Sequence, residues 1–542
     1  MAAPSDACVY SPNSAAALLS MSMPSGSITT TSHRRKENSS SSQRTSIDHL
    51  PTELLLKIFK YAYVNARDEV HLTGIGHSKL RGSPSEDFET EWAREDPLSP
   101  SLFPYALAAV CSQWGNIMAS VPVFWTRVIL IMEFTTLPSA QTYIQWTGNH
   151  PFDVTVIGHP DMSVGDGRDE RAKVAEMTKM LVPHLHRCTS LRFSLSRSSL
   201  ISIARQHLRG TAAMLRHLEL ACAVDDGVAE QEDIDTHWDL HTPCLQALHI
   251  DGRSFPHICR GQYGENPRYL RSLAISKFKP SHDEDRPLQL SHIVSMMNHA
   301  HILSSFAVQD VELVGLDFAE PLAVYHHRGH IHALQFEGVA SDFLYQFFRS
   351  VKSYPEKVLI TRSSVEDLDN IPNSRLLTLG DIASPDDLAT VLTSWTGQEL
   401  TLKHCSGFDD HFINVLSPNI LDSPWICTNL AVLHLHSCTN FSAHRLKRVV
   451  QERHAIVEKK IYQWFGMPRH LVPMGVEAIE RAIGWNFIRV LRIYGGPSIS
   501  ANHLKWFREN VREFYWSNQP APELKEHPLA YGQHDYFHMH EY

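Results

Sequence analysis

The 542-residue chain has no closely paired cysteines, no long apolar run and no excess of basic charge. Each absence removes a class of protein. Its nine cysteines are an odd number spread over the whole length without a CxxC. That pattern fits reduced thiols of the cytoplasm or nucleus, not a disulfide framework or a tetrahedral zinc site. No stretch approaches the roughly 18 apolar residues that cross a bilayer, so no membrane is expected as a partner. The first residues lack a charged segment leading into an apolar block, so no secretory signal is expected either. Lys and Arg number 49 against 59 Asp and Glu, a net charge of −10. This is the opposite of the basic footprint that phosphate binding needs, and no nucleic-acid partner is expected. The motifs GxxxxGK[ST], GxSxG, GxGxxG and HExxH are absent. Adjacent acidic pairs (Asp225/Asp226, Asp386/Asp387, Asp409/Asp410) read as loop or cap residues and not as a general acid–base arrangement. The expectation is a protein that is not an enzyme and carries no cofactor.

What is present divides into segments. Residues 1–46 are rich in Ser, Thr, Ala and Pro, with a serine run at Ser39–Ser42 and the basic triplet Arg34, Arg35, Lys36. Such a composition buries too little apolar surface to offset chain entropy, and a disordered tail is expected. At Ile47 the texture changes. Pro51 suits the first position of a helix, where its missing N–H costs nothing, and Glu53 sits where the helix dipole favours an anion. Leu54, Leu55, Ile58, Phe59 and Ala62 then recur at helical spacing as one apolar face. A polar stretch over 65–101 has no periodicity and reads as a loop. Helical spacing resumes at Leu107, Val110, Cys111, Trp114, Ile117 and Met118, predicting one helix that Pro122 stops and that buries the Cys111 thiol. A β-rich stretch follows at Val128–Met132.

Beyond residue 150 a phrase of the form apolar–x–x–apolar–x–apolar keeps returning. It stands at Leu215/Leu218/Leu220, Leu245/Leu248/Ile250, Leu270/Leu273/Ile275, Leu303/Phe306/Val308, Ile331/Leu334/Phe336, Leu430/Leu433/Leu435 and Ile488/Leu491/Ile493. Partial copies lie at Leu191/Phe193, Val358/Ile360, Leu377/Leu379 and Leu400/Leu402. Up to Leu430 the steps run about 19 to 33 residues, bracketing the period of leucine-rich repeats. Each copy supplies a short strand that buries its apolar side only when neighbours stack on it. Cys405 and Cys438 follow their phrases where that pattern allows Asn or Cys. A run of unrelated strands in an α/β domain would also use such phrases; the number and spacing of copies favour an irregular solenoid over 131–515. Residues 443–485 read as a helical insert, and 516–542 as an extended tail.

Two histidine clusters invite a metal: His326, His327, His330, His332, and His527, His534, His538, His540. On an extended chain His330 and His332 share one side and supply at most two ligands, with no cysteine or carboxylate pair completing a set. A solvated surface is the preferred reading. Trp395, Trp425, Trp485 and Trp506 are either anchors for a partner or core.

The run Leu50-Pro51-x-Glu53-Leu54-Leu55-x-x-Ile58-Phe59 resembles the opening of an F-box. The run Leu107-Ala-Ala-Val110-Cys111-Ser-Gln-Trp114, with Pro122 and Trp125 beyond it, is similar to the second half of one. The two cover a small part of the chain, and the intervening stretch of roughly forty residues departs from the compact family pattern. Followed by a loose repeat array, they resemble fungal F-box-like proteins. The resemblance implies an α/β chain: a short α-helical F-box over 47–130, split by the loop, then a leucine-rich-repeat-like solenoid. It further implies a Skp adaptor as partner and, through it, a cullin scaffold, with Leu50, Pro51, Leu54, Leu55, Ile58, Val110, Cys111 and Trp114 at motif positions. The function so implied is substrate recognition for a ubiquitin ligase, with an unknown protein as substrate. The alternative is an interaction scaffold with no ligase role.

Overall fold

The computed structural model describes residues 50–68, 97–99, 101–158, 167–227, 238–260, 268–280, 288–313, 325–326, 331–417, 426–472 and 487–520. The expected N-terminal tail, most of the 65–101 loop, the end of the helical insert, the C-terminal tail beyond 520 and the second histidine cluster lie outside them. The protein is of mixed α/β class with a large parallel sheet. The chain divides into two compact units, residues 1–196 with 210–215, and residues 197–209 with 216–542.

In the first unit, helix α1 (Thr52–Asp68) leads into α2 (Tyr105–Ala108), α3 (Ser112–Ala119) and a 3₁₀ turn at Pro122–Trp125. Pro51 stands just outside α1, and its carbonyl accepts the N–H groups of Leu54 (2.9 Å) and Leu55 (3.1 Å). The helix runs three residues past the expected loop start at Asn65, because Ala66 still packs in the core. That core joins Leu55 and Phe59 of α1 to Trp114, Ile117 and Met118 of α3 and to Phe103, Phe124 and Trp125. The Phe59 and Trp114 rings meet edge-on at 4.9 Å, and the Trp125 indole donates to the Met118 carbonyl at 3.0 Å.

The single helix expected through Leu107 and Met118 is two helices. Cys111 is extended (φ −160°, ψ 167°) and stands at the N-cap of α3, half-buried and outside the helical face assigned to it. The corner lets Tyr105, Leu107 and Ala108 cover the same core as Trp114, Ile117 and Met118, which one straight helix would not allow. Strand β1 (Arg127–Ile131) follows, then helix α4 (Leu137–Trp146), β2 (Phe152–Ile157), α5 (Gly167–Leu181) and β3 (Cys188–Arg197). β1 pairs with β2 and β2 with β3, both in parallel.

The second unit begins with helix α6 (Ser198–His207) and continues β4 (His217–Val224), β5 (Ala247–Asp251), α7 (Phe255–Arg260), β6 (Ser272–Phe278), α8 (Leu290–His299), β7 (Ser305–Val311), β8 (Ala333–Glu337), α9 (Ser341–Ser350), β9 (Lys357–Thr361), β10 (Leu376–Gly380), α10 (Pro385–Thr393), β11 (Glu399–Lys403), α11 (Asp410–Leu416), β12 (Val432–His436), α12 (Ala443–Phe465), β13 (Val490–Tyr494), α13 (Ala501–Asn510) and β14 (Glu513–Trp516). From β4 to β14 every strand pairs in parallel with the next one in sequence.

The register aligns the recurring phrase. Its last two apolar positions form two continuous rows across the sheet, for example Leu377–Leu400–Leu433–Leu491 and Leu379–Leu402–Leu435–Ile493. All eight of these side chains are buried. The first apolar position, as at Leu245, Leu303 and Leu430, is buried in the turn before the strand. Alternate residues of each strand face the other side, as the period of two requires. Ser384, Asp409, Ser442 and Ser500 each accept the N–H three residues on and so start α10, α11, α12 and α13.

The strands end alike. Lys277, Asp310, Gly338, Arg362, Asp381, His404, Ser437 and Gly495 occupy equivalent register positions from β6 to β13, all left-handed with φ of 50–63°. Ser363, Cys405 and Cys438 come next in their turns, and each side chain donates to the carbonyl two residues back, at 2.9, 3.3 and 3.6 Å. The two cysteines singled out by the repeat pattern are thus buried turn residues.

Candidate functional site

Helix α1 is apolar on two sides. Leu55, Phe59 and Ala66 enter the core, flanked by the partly buried Leu56, Ala62 and Tyr63. The opposite side carries Leu54 (44% exposed), Ile58 (45%), Tyr61 (71%) and Val64 (47%). Leu54, Ile58 and Tyr61 follow the i, i+4, i+7 spacing of one helical stripe, with Val64 at its margin. The exposed Lys57 and Lys60 lie on the same margin. A core stripe needs no second apolar stripe facing water, and a contiguous exposed one marks a docking surface.

The motif residues divide between these roles. Leu55 and Trp114 are buried in the core, while Leu50 and Cys111 are half-buried against it. Pro51, Leu54, Ile58 and Val110 are exposed, Val110 by 54% at the corner between α2 and α3. The single apolar face expected for Leu54, Leu55, Ile58, Phe59 and Ala62 is therefore two faces. Tyr61 and Val64 lie beyond the motif and escaped it, although continuing the helical period from Leu54 would have reached both.

The other residues singled out in the sequence are mostly structural. Trp395 is core, its indole donating to the Ser374 carbonyl at 2.9 Å. Trp506 is half-buried with the Lys447 ammonium 5.0 Å from its ring. Trp425 and Trp485 lie outside the described residues. His332 pairs with Glu356 at 2.9 Å, and the side chains of His326, His327 and His330 lie outside the description. Among the described residues no group of three or more His, Cys, Asp or Glu is placed to hold a metal. Nor is any described helix long and apolar enough to cross a membrane.

Two of the acidic pairs serve as caps and braces, and Asp386/Asp387 lie in the first turn of α10. Asp409 accepts the Phe412 N–H at 2.8 Å, and Asp410 accepts the Ser442 N–H at 2.7 Å. Asp225 binds Arg253, Ser198 and the backbone of Lys279; burial opposes its ionisation, but these bonds hold its carboxyl below the ordinary range. One polar ladder has the connectivity of a hydrolytic triad. His249 Nδ1 stands 3.6 Å from Glu219, and its Nε2 stands 3.0 Å from Ser276 Oγ. Ser276 is only 4% exposed, and β6 is paired on both edges, so its N–H groups serve the sheet and not an oxyanion hole. The group is a cross-strand row in which His249 bonds Ser276 and only approaches Glu219. No protein-family model matches the chain, and no curated protein matches it.

Proposed function

We propose that the chain is an F-box adaptor, the substrate-recognition subunit of a Skp–cullin–F-box type ubiquitin ligase. The observation that carries this reading is the exposed stripe Leu54, Ile58, Tyr61 and Val64 on α1, opposite the face that closes the helical core. A helical unit of this size uses one apolar face for itself and offers the other to a partner. On this reading Pro51, Leu54, Ile58 and Val110 meet the Skp adaptor, whereas Leu55 and Trp114 hold the motif together.

The second unit is read as an irregular leucine-rich-repeat-like solenoid that binds the target protein. Supporting this are the in-order parallel strands, the two apolar rows and the repeated left-handed strand ends. The chain then acts by proximity. It holds a target near the ligase, raising the effective concentration of its lysines, and the covalent steps belong to the partners.

The test is a binding titration of purified chain with the Skp adaptor, alone and with cullin, against a Leu54→Asp/Ile58→Asp variant. Burying these two side chains is worth about 1.5–3 kcal/mol each, so the variant is expected to lose well over tenfold in affinity. Both positions are exposed, so its thermal stability should stay close to that of the parent. No binding by the parent chain overturns the reading. Binding of the adaptor without recruitment of cullin selects an interaction scaffold with no ligase role.

A further inference from the structure

The turns after β11 and β12 bring two thiols together. Lys403 and His436 are register partners on these neighbouring parallel strands. His404 and Ser437 follow, both left-handed (φ 53° and 54°), so Cys405 and Cys438 hold the same place in adjacent turns. Paired strands run about 4.7–4.9 Å apart. At that spacing the α-carbons fall within the roughly 4.4–6.8 Å that a disulfide bridges. The side chains already meet: the Cys438 thiol donates to the Cys405 sulfur, and the Cys405 backbone bonds the Cys438 sulfur as well. Around them lie backbone carbonyls, Lys403 (3.3 Å) and Leu379 (3.6 Å) for Cys405, His436 (3.6 Å) and Leu402 (3.7 Å) for Cys438.

Their surroundings set the two sulfurs apart. The bond from Cys438, helped by backbone bonds from Ile382 and Lys403, holds Cys405 below the ordinary thiol range against burial and the Asp381 charge. The same bond pushes Cys438 up, and burial adds to the rise. Cys405 is the nucleophile of the pair and Cys438 its proton donor. Burial alone acts first on Cys188, Cys222 and Cys427, and pushes all three thiols up. Both paired side chains are buried, yet their turns lie at the surface, where His404, Ser406 and Thr439 are exposed. Opening of one turn admits a small oxidant while the strands stay paired.

We propose that Cys405 and Cys438 are a redox-sensitive staple, closed to a disulfide by a peroxide and reopened by a dithiol. The Cys405 sulfur attacks one peroxide oxygen and the O–O bond breaks. The sulfur becomes a sulfenic acid, and the other oxygen takes a proton and leaves as water. The Cys438 sulfur then attacks the Cys405 sulfur, the S–O bond breaks, and a second water leaves with the Cys438 proton. Two thiols lose two electrons, and one peroxide is reduced to two waters. A dithiol reverses the step by exchange and leaves as its own disulfide. The closed bond joins the ends of β11 and β12 across α11 and constrains the unfolded chain. The inference concerns this pair alone and does not depend on binding of a Skp adaptor.

The test exposes the folded full chain to hydrogen peroxide, then blocks free thiols with N-ethylmaleimide in denaturant and maps the tryptic peptides by mass spectrometry. A parallel sample is returned to dithiothreitol before blocking. The peptides of Cys405 and Cys438 are expected to be linked after peroxide and separate after dithiothreitol. The urea midpoint should rise on oxidation and fall back on reduction. In Cys438→Ser, Cys405 should stop at the sulfenic acid, trapped by dimedone, with no rise in midpoint. Should that variant not fold, the linked peptides and the reversible midpoint of the parent chain decide alone. Both thiols free after peroxide, linkage of either to a different cysteine, or an unchanged midpoint in the linked chain overturns the proposal. So does linkage that forms only when the peroxide is added in denaturant.

Discussion

At Asp251 in β5 the fold buries a carboxyl completely. Loss of hydration raises it to about 6 against the Ser254 hydrogen bonds and the Arg205 charge, with Asp225 adding to the rise. The ordinary aspartate value is near 3.9. A carboxyl raised in the folded state adds stability that is complete below the unfolded value and lost as pH climbs through the folded one. The protein should thus lose on the order of 2–3 kcal/mol from this group between about pH 4 and pH 7. Asp251→Asn should flatten that part of the profile in urea titrations at several pH values; an unchanged slope would refute the assignment. Arg453 is the cationic counterpart. It is fully buried, donating to the carbonyls of Leu416, Ile426 and Cys427, and burial pushes it down to about 10. Arg453→Ala leaves three buried carbonyls short of a donor and should cost about 3 kcal/mol or more, read from the denaturation midpoint.

At the scale of the element, the strand ends are the most constrained positions. Gly338 is left-handed, and a Cβ there would overlap the Asp310 carboxylate. Asp310 cannot swing aside freely, since Lys277 holds it at 2.6 Å and Arg362 approaches at 3.4 Å. Gly338→Ala should therefore destabilise by about 1–2 kcal/mol, combining backbone strain with the displaced ion pair. The same substitution at Gly466, at a similar positive φ but with open space around its α-carbon, should cost less. Equal losses at the two sites would show that the contact with Asp310 contributes nothing. Helix α1 teaches a related point. Its motif positions and helical period are legible in the sequence, yet only packing separates Leu55, which closes the core, from Leu54, which faces water.

For the whole molecule, the second unit buries its apolar rows only because each strand lies beside the next in sequence. Stability in such an array is approximately a sum of nearest-neighbour interfaces, and its ends need covers. α13 and β14 supply one: Phe507 stacks on Phe514 at 5.2 Å and lies 5.9 Å from Trp516. A chain ending at residue 495 should expose the Leu491 and Ile493 edge of β13. Its urea midpoint should fall and its light scattering should rise. An unchanged midpoint would contradict the nearest-neighbour account.

The sequence by itself determined the class and the spacing. The phrases at Leu218, Leu248, Leu273, Phe306, Leu334, Leu433 and Leu491 each mark a strand, because the alternation that buries one strand face is local and leaves its trace in neighbouring residues. β2 and β14 carry the same alternation, at Val154/Val156 and Val511/Phe514/Trp516, beyond the copies singled out above. The corner at Cys111 was illegible, since an unbroken helical period ran across it and only the gain from packing α2 and α3 on one core breaks the helix there. Tertiary structure alone decided which motif residues are core and which are surface. It also brought the Cys405 and Cys438 thiols together. Those residues follow two different strands, and the register of the parallel sheet, which no local pattern encodes, sets them side by side.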